Sequence, residues 1–188
     1  MRTRKKARTD IIDELLDLFL LAYSNGCEDA NEMLHTEIAP TYDEMRESIY
    51  REVAGETWEQ RVDGYLLEFG EEEEPSAETT KPTEPGEITL PPTVDAILFD
   101  IMRVADTDMH RIYNEAEYGT AVKGGAQFKT WVCTFVNSRD THIYLHGTKL
   151  PMDAEFYTFM GNKAMFPGEF GVPEEDCNCH CYCLYSKA

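Results

Sequence analysis

The 188-residue chain lacks the features of a membrane protein or a general nucleic-acid binder. No stretch approaches 18 uninterrupted apolar residues, the length needed to span a bilayer, so we expect no membrane association. Asp13, Glu14 and Asp17 interrupt the apolar run near the start, which argues against a signal peptide. Basic residues are scarce, with 17 Lys and Arg against 36 Asp and Glu. The resulting net charge of −19 opposes binding to nucleic acid or an anionic lipid surface.

Several motifs of catalysis and metal binding are absent as well. The sequence contains no G-x-S-x-G nucleophile elbow, no phosphate-binding P-loop and no H-E-x-x-H pair. It also lacks the compact C-x-x-C turn of ordinary zinc modules. These absences favour a protein that is not an enzyme. Without a signal peptide we expect a cytosolic origin, in which the six cysteines are thiols or metal ligands rather than disulfides.

Composition divides the chain into four segments. Residues 1–8 hold five of the 17 basic residues and form a basic arm, and residues 9–70 form a helical region. Residues 71–92, "EEEEPSAETTKPTEPGEITLPP", read as an acidic linker rich in Pro and Thr. Residues 93–188 form a C-terminal module. We therefore predict an α+β fold, with a helical N-terminal half and a small, loop-rich α+β module that closes on a Cys-rich strand.

Amphipathic periodicity predicts the helices of the front half. Residues 10–23 form a first stripe, Asn25-Gly26 is a plausible stop, and a shorter helix follows to Leu34. Thr41 with Glu44, and Thr57 with Gln60, have the spacing of capping boxes. The stripe of the next helix is aromatic-rich and either packs in the core or docks on a partner; it comprises Trp58, Val62, Tyr65, Leu66 and Phe69.

The back half begins with a further helical pattern that runs from Thr93 to near Gly124-Gly125. The stretch at 127–136, "QFKTWVCTFV", has the aromatic and β-branched composition of a strand. Beyond it the chain is rich in loops, up to the terminal "DCNCHCYC" at 176–183.

The four terminal cysteines, at 177, 179, 181 and 183, recur at every second position. In a straight strand their sulfurs would share one face about 6.6 Å apart, whereas sulfurs on one tetrahedral zinc lie about 3.8 Å apart. A bulge or bend would therefore be needed to bring two of them onto one ion. His142 and His146 lie four residues apart, a spacing that on a helix places two imidazoles on one face. The residues alone leave open a metal site, a thiol-lined strand packed on Trp131 and Phe135, or redox chemistry.

The order of three segments, "ADTDMHRIYNEAEYGTA", "KTWVCTFVNSRDTHIYLHG" and "FPGEFGVPEEDCNCHC", resembles the phage head morphogenesis, or minor head protein, family of the Mu F type. The resemblance covers residues 94–183. The matching positions are Thr107, Asp108, Arg111, Asn114, Lys129, Trp131, Arg139, His142, Leu145, Gly147, Pro167, Gly168, Asn178, Cys179 and Cys181. Asp108 stands where the family usually has Glu, His180 replaces an Arg, and Cys177 and Cys183 are additions.

The resemblance implies a structural assembly protein of a tailed-phage head, bound to the portal inside the capsid and aiding head assembly, genome packaging or ejection. Its partners would be the portal protein and the major capsid or scaffolding protein, and the basic arm would contact DNA or the portal. It would be found at the portal vertex of the virion, and in the host cytoplasm during assembly. The resemblance also brings His142, His146, Cys179 and Cys181 into one module as a structural zinc site.

Two other functions stay open. The first is a metal-dependent hydrolase that uses His142 and His146 as ligands, which an open coordination position would favour. The second is a cellular, zinc-stabilised adaptor unrelated to phage.

Overall fold

The computed structural model describes residues 4–53, 55–68, 94–136 and 138–188. Its helices are α1 (Arg4–Leu34), α2 (Tyr42–Ile49), α3 (Trp58–Glu68), α4 (Val94–Lys123), α5 (Asp140–Leu145) and α6 (Pro173–Asp176). Its strands are β1 (Phe128–Val132), β2 (Lys149–Pro151), β3 (Phe156–Tyr157), β4 (Lys163–Ala164) and β5 (Tyr182–Ser186). A helical front half thus precedes a small strand-bearing back half, which confirms the predicted α+β class.

The first helix is longer and more continuous than its sequence suggests. α1 runs through Asn25-Gly26, where we predicted a stop, and absorbs the shorter helix that was expected to follow. The reason is packing: a Cβ on Gly26 would lie 2.3 Å from the carbonyl oxygen of Tyr113 in α4. The glycine therefore allows close approach of two helices and does not end one.

The basic segment at residues 1–8 is not a separate arm over its described part. Residues 4–8 already belong to α1, and the Arg8 guanidinium forms two hydrogen bonds of 2.5 and 2.6 Å with the Asp63 carboxylate on α3. The predicted linker at 71–92 lies outside the described residues, as does Phe69. No helix in the described ranges is long and apolar enough to cross a bilayer.

Both predicted capping boxes are present. At α2 the Thr41 hydroxyl accepts from the Glu44 N–H at 3.3 Å, and the Glu44 carboxylate accepts from the Thr41 N–H at 2.9 Å. Before α3 the Thr57 N–H donates to the Gln60 side chain at 2.8 Å, and the Gln60 N–H donates to the Thr57 hydroxyl at 3.4 Å. Local sequence therefore sets where these two helices begin.

The front core lies between α1, α3 and α4 and corrects the predicted docking surface. Trp58 is 1% exposed and Val62 is fully buried, and the Trp58 ring packs edge-on against Phe19 of α1 with centroids 5.0 Å apart. Tyr65 and Leu66 are half-buried against the same core. The stripe therefore holds α3 onto its own chain, because aromatic side chains of this size bury most area in a helical interface.

The back half is built on a three-stranded antiparallel sheet in the order β2-β1-β5, with a separate β3–β4 pair. Trp131 of β1 lies opposite Cys183 of β5, and both are fully buried on the same face. The back core contains many small and sulfur-bearing side chains around a few rings. Its buried residues include Trp131, Cys133, Leu145, Phe156, Phe170, Cys179, Cys181, Cys183 and Tyr185.

The Cys-rich strand is shorter than predicted. β5 begins only at Tyr182, and residues 177–181 form a turn and an irregular segment before it. Asn178 has a φ of 53°, in the left-handed region, so the chain bends between Cys177 and Cys179. This bend places Cys179 and Cys181 outside the regular alternation of a straight strand.

Candidate metal centre

The His142 ring is held in the middle of the back core. His142 lies on the short helix α5, is 1% exposed, and is stacked on Phe170 with centroids 5.4 Å apart. The Trp131 ring meets it edge-on at 5.5 Å. These contacts fix the plane of the imidazole, because a ring packed between two others has little freedom to rotate.

Two cysteine sulfurs converge on one nitrogen of this ring. The Sγ atoms of Cys179 and Cys181 each lie 3.5 Å from His142 Nδ1, and the three candidate ligand atoms all lie within 4.8 Å of one another. In tetrahedral zinc, with bonds of about 2.3 Å to sulfur and about 2.0–2.1 Å to nitrogen, a bound nitrogen and sulfur lie about 3.5 Å apart. The two nitrogen–sulfur distances therefore match those of a zinc tetrahedron.

The opposite nitrogen of the ring faces a buried carboxylate. His142 Nε2 lies 3.2 Å from Glu175 Oε2, within ion-pair distance, although no hydrogen bond forms at this angle. Glu175 is 3% exposed and also accepts from the Thr141 hydroxyl at 2.7 Å and the Asn162 amide at 3.0 Å. Metal-bound histidines commonly direct their other N–H at a carboxylate, which orients the ring and raises its basicity.

The two thiols differ in pKa. A hydrogen bond with Cys181 lowers the pKa of Cys179, while the same bond, together with burial, raises the pKa of Cys181. Cys179 is therefore the more acidic of the two thiols, and Cys181 donates the hydrogen bond between them. A zinc ion bound to both sulfurs would displace the thiol protons, because zinc binds cysteine as thiolate.

His146 lies outside this group. α5 ends at Leu145, so the four-residue spacing from His142 is not realised on a helix, and His146 caps the helix as an exposed residue. Its Nδ1 accepts the Cys133 backbone N–H at 3.1 Å and its ring packs on Phe135 at 4.7 Å. The His146 Nδ1 atom and ring are therefore engaged with Cys133 and Phe135, outside the group formed with the two sulfurs.

The remaining terminal cysteines also lie outside the group. Cys177 is half-buried, and its carbonyl accepts a hydrogen bond from the Arg139 guanidinium. Cys183 is fully buried on β5, and burial raises the pKa of its thiol. Within the described ranges, His142, Cys179 and Cys181 form the one group of three or more potential ligands close enough to share an ion.

The α4 residues of the predicted motif build a buried charge network instead of a ligand site. Asp108 is 1% exposed and accepts from Arg61 of α3 at 2.5 Å. Arg111 is 4% exposed and bonds the Glu115 carboxylate at 2.8 Å and the Ser48 carbonyl at 2.9 Å. These bonds join α2 and α3 to α4, and buried charges of this kind persist because each is paired.

The other residues of the predicted motif lie on α4, on β1 and after α5. Lys129 is buried and donates to the Met165 carbonyl at 2.8 Å, while the fully buried Asn114 donates to the His110 carbonyl at 2.9 Å. Thr107 is half-buried. Gly147 has a φ of 76°, a conformation that suits glycine, as it follows α5.

The Pro167-Gly168 loop is pinned where it meets α4. A Cβ on Gly168, whose φ is 89°, would lie 3.2 Å from the Arg111 Cα. Asp176 of α6 anchors the following segment, because its carboxylate accepts the N–H groups of Phe170 at 3.0 Å and Gly171 at 2.7 Å. These contacts place Phe170 against His142.

Sequence reasoning missed Glu175 and Phe170, which together with Trp131 orient His142. Glu175 lies in "VPEED", where three acidic residues in a row suggest an exposed helix start. A signal was available in the spacing, since "PEEDCNC" places the carboxylate four residues before Cys179. Only the tertiary structure shows that Glu175, and not Glu174 or Asp176, faces His142 Nε2.

Comparison with known proteins gives limited similarity. No family model matches the chain, and no solved structure matches it. A curated protein of Enterococcus faecalis, named NAD(+)–arginine ADP-ribosyltransferase EFV, is 37% identical over 90 residues. The match covers 43% of this chain and 17% of that relative.

This similarity contradicts the expectation of a structural head protein that is not an enzyme, because the relative is named for an enzyme activity. The expectation was wrong because missing motifs such as nucleophile elbows exclude only the enzyme classes that use them. The resemblance to the Mu F-type family is tested by no comparison and stays a prediction, as do the partners and location inferred from it.

Proposed function

We propose that the chain binds one structural zinc ion through His142, Cys179 and Cys181, and that this ion stabilises the back half. The convergence of two sulfurs on His142 Nδ1 at 3.5 Å carries this proposal. All three ligands are at most 3% exposed, so the ion would lie inside the back core, with the fourth position of its tetrahedron taken by water or a further ligand. Small, loop-rich modules often rely on such an ion because their apolar cores are limited.

The Glu175 carboxylate would act through His142. It faces Nε2, so it would hold the ring with Nδ1 directed at the ion and stabilise the charge that zinc withdraws from the imidazole. Thr141 and Asn162 in turn hold this carboxylate in place.

The test is a set of cysteine variants compared for zinc content. Protein purified from zinc-supplemented cells is expected to contain about one zinc per chain by elemental analysis. Cys179→Ser and Cys181→Ser should each lose it, whereas Cys177→Ser, from the same repeat, should keep it. X-ray absorption at the zinc edge should show two sulfur ligands at about 2.3 Å. Well-folded protein without metal, or loss of zinc in Cys177→Ser, would refute the assignment.

The similarity to the Enterococcus faecalis protein favours a second role, participation in NAD+-dependent ADP-ribosylation of arginine. In that reaction the bond between ribose and nicotinamide breaks, a guanidinium nitrogen bonds to the ribose carbon, and nicotinamide and a proton leave. Because the chain spans 17% of that relative, the role is proposed for this chain together with any segment that completes it.

This second role is tested by nicotinamide release. The zinc-loaded chain, together with any segment that completes it, is incubated with NAD+ and an arginine-bearing acceptor, and free nicotinamide and modified acceptor are measured together by mass spectrometry. Transfer that is lost on heat inactivation supports the role. Absence of both products, with zinc bound and the fold intact by circular dichroism, would refute it while leaving the zinc proposal standing.

A further inference from the structure

A cavity of about 350 Å³ lies between α1, α4 and β5 and is lined by none of the candidate zinc ligands. Three acidic side chains and two tyrosines make up most of its wall. The lining residues are Asp29, Glu32, Met33, Tyr113, Glu117, Tyr182 and Leu184. Asp29, Glu32 and Tyr182 are exposed, so the cavity opens to solvent on their side.

Glu117 is a buried acid in the wall of this cavity. Its side chain is 2% exposed, yet its Oε2 has no hydrogen-bond partner among the described residues. Leaving a buried carboxyl oxygen unpaired costs about 1–3 kcal/mol, so such groups usually have a partner.

A compact metal site does not explain the cavity. Across the described ranges, no three carboxylate, histidine or cysteine ligand atoms meet here closely enough to share one ion. The Tyr113 hydroxyl is already bonded to the Asp29 carboxylate, which spreads the acidic groups around the wall. The volume and the tyrosine faces suit a larger, planar cation, since guanidinium pairs with carboxylates through two parallel hydrogen bonds and stacks on aromatic rings.

We propose that this cavity binds a guanidinium group, such as that of an arginine side chain, with the Glu117 carboxylate as its buried anchor. Asp29 and Glu32 attract the cation at the mouth, and Tyr113 and Tyr182 flank it. The inference is independent of ADP-ribosyl transfer and of zinc, because it rests on the cavity and the unpaired oxygen.

Ionisation of Glu117 accompanies this binding. Burial, with a smaller contribution from Asp29, raises the pKa of Glu117 to about 9, so the empty cavity holds a neutral acid at pH 7. The titratable groups that interact with it are Asp29 on α1, Tyr113 on α4, and Cys183 and Tyr185 on β5, while Glu32 of α1 and Tyr182 of β5 line the same cavity. A bound cation stabilises the carboxylate, so a proton is released on binding at neutral pH.

The experiment is calorimetric titration of the full chain with propylguanidinium, and with propylurea as the uncharged probe of the same shape. Titrations in two buffers of different ionisation enthalpy measure the released protons. Glu117→Gln retains the shape of the side chain and is expected to weaken propylguanidinium binding about tenfold or more. Glu28→Gln, an exposed acid on α1 that does not line the cavity, is the matched control and should leave binding unchanged.

Proton release by the wild type, weaker binding to Glu117→Gln and none of propylurea would support the proposal. Absence of propylguanidinium binding through the millimolar range would overturn it. Equal binding by wild type and Glu117→Gln, or equal binding of propylurea, would overturn it as well. Circular dichroism spectra of both variants show that the comparison is made on folded protein.

Discussion

The two halves of the molecule are held together by different means. The front half packs long helices around large side chains such as Phe19 and Trp58, with paired charges where α2 and α3 meet α4. The back half has strands of two to five residues, and its core is centred on one histidine and two thiols. Long helices bury area continuously along their length, whereas short strands and loops leave fewer apolar contacts per residue.

This difference teaches that the two halves should fail under different perturbations. The front should respond to loss of packing volume, and the back to loss of metal. The chain has two tryptophans, Trp58 in the front core and Trp131 in the back core, so fluorescence can follow each half. Trp58→Phe isolates the signal of Trp131, and Trp131→Phe isolates that of Trp58.

The largest expected effect is that of zinc removal. Structural zinc contributes on the order of 10 kcal/mol to the folding of small modules, so chelation should unfold the back half. In the Trp58→Phe chain, the Trp131 emission should shift to longer wavelength on adding a strong chelator and recover on adding zinc. In the Trp131→Phe chain, the Trp58 emission should stay unchanged. A simultaneous shift of both signals would show that the halves unfold as one unit.

Trp58→Ala should have the converse effect. Deleting this ring leaves a cavity against Phe19 and should lower the free energy of unfolding by about 3–5 kcal/mol. Chemical denaturation monitored at Trp131 and by circular dichroism measures the loss. Zinc content should be unaffected, and a zinc-free Trp58→Ala protein would contradict the separation of the two cores.

Glu175→Gln tests whether the carboxylate that faces His142 strengthens zinc binding through this ligand. Removing the carboxylate charge that faces His142 Nε2 should weaken zinc binding about 10–100-fold without abolishing it. Competition with a chromogenic chelator measures the affinity. Glu174→Gln, the exposed neighbour on the same helix, is the control and should bind zinc as the wild type does. Equal zinc affinities for the two variants would show that Glu175 does not contribute to zinc binding.

Gly26→Ala tests the close packing of α1 against α4. A methyl group there would lie 2.3 Å from the Tyr113 carbonyl oxygen, so overpacking should cost about 1–3 kcal/mol despite a gain of about 1 kcal/mol in helix propensity. Gly64→Ala on α3 is the control, because its Cβ would meet no atom within 4 Å, and it should stabilise the protein by about 0.5–1 kcal/mol. Thermal denaturation of both variants gives the sign of each change.

Thr41→Ala should have the smallest effect, about 1 kcal/mol from the lost cap of α2. Contact with Lys123, and then the bonds to Thr41, lower the pKa of Glu44 to about 2. A carboxyl whose folded-state pKa is lowered stabilises the protein above its ordinary pKa of about 4.5, and this contribution is lost as the pH falls toward 2. The free energies of unfolding of wild type and variant, measured as a function of pH, should therefore approach each other at low pH. A difference that stays constant down to pH 2 would assign the effect to the hydroxyl alone.

Several elements could be predicted from the sequence because their signals are local. The caps at Thr41 and Thr57 and the helix that ends before Gly124-Gly125 depend on residues within one or two turns of each other. The strand at β1 follows from β-branched and aromatic composition over five residues. The need for a bend near Cys179 and Cys181 also followed from bond lengths alone.

Only the tertiary structure decided the features that join distant residues. Which two of the four cysteines meet His142 depends on a turn at Asn178. It also depends on contacts of His142 with Cys179 and Cys181, which follow it by 37 and 39 positions in the sequence. Whether Gly26 ends a helix or allows close packing depends on Tyr113, far along the chain. The same holds for Trp58, whose stripe is equally apolar whether it faces a partner or its own core. Periodicity and capping report on neighbours within a few residues, whereas burial is set by whichever element the fold brings alongside.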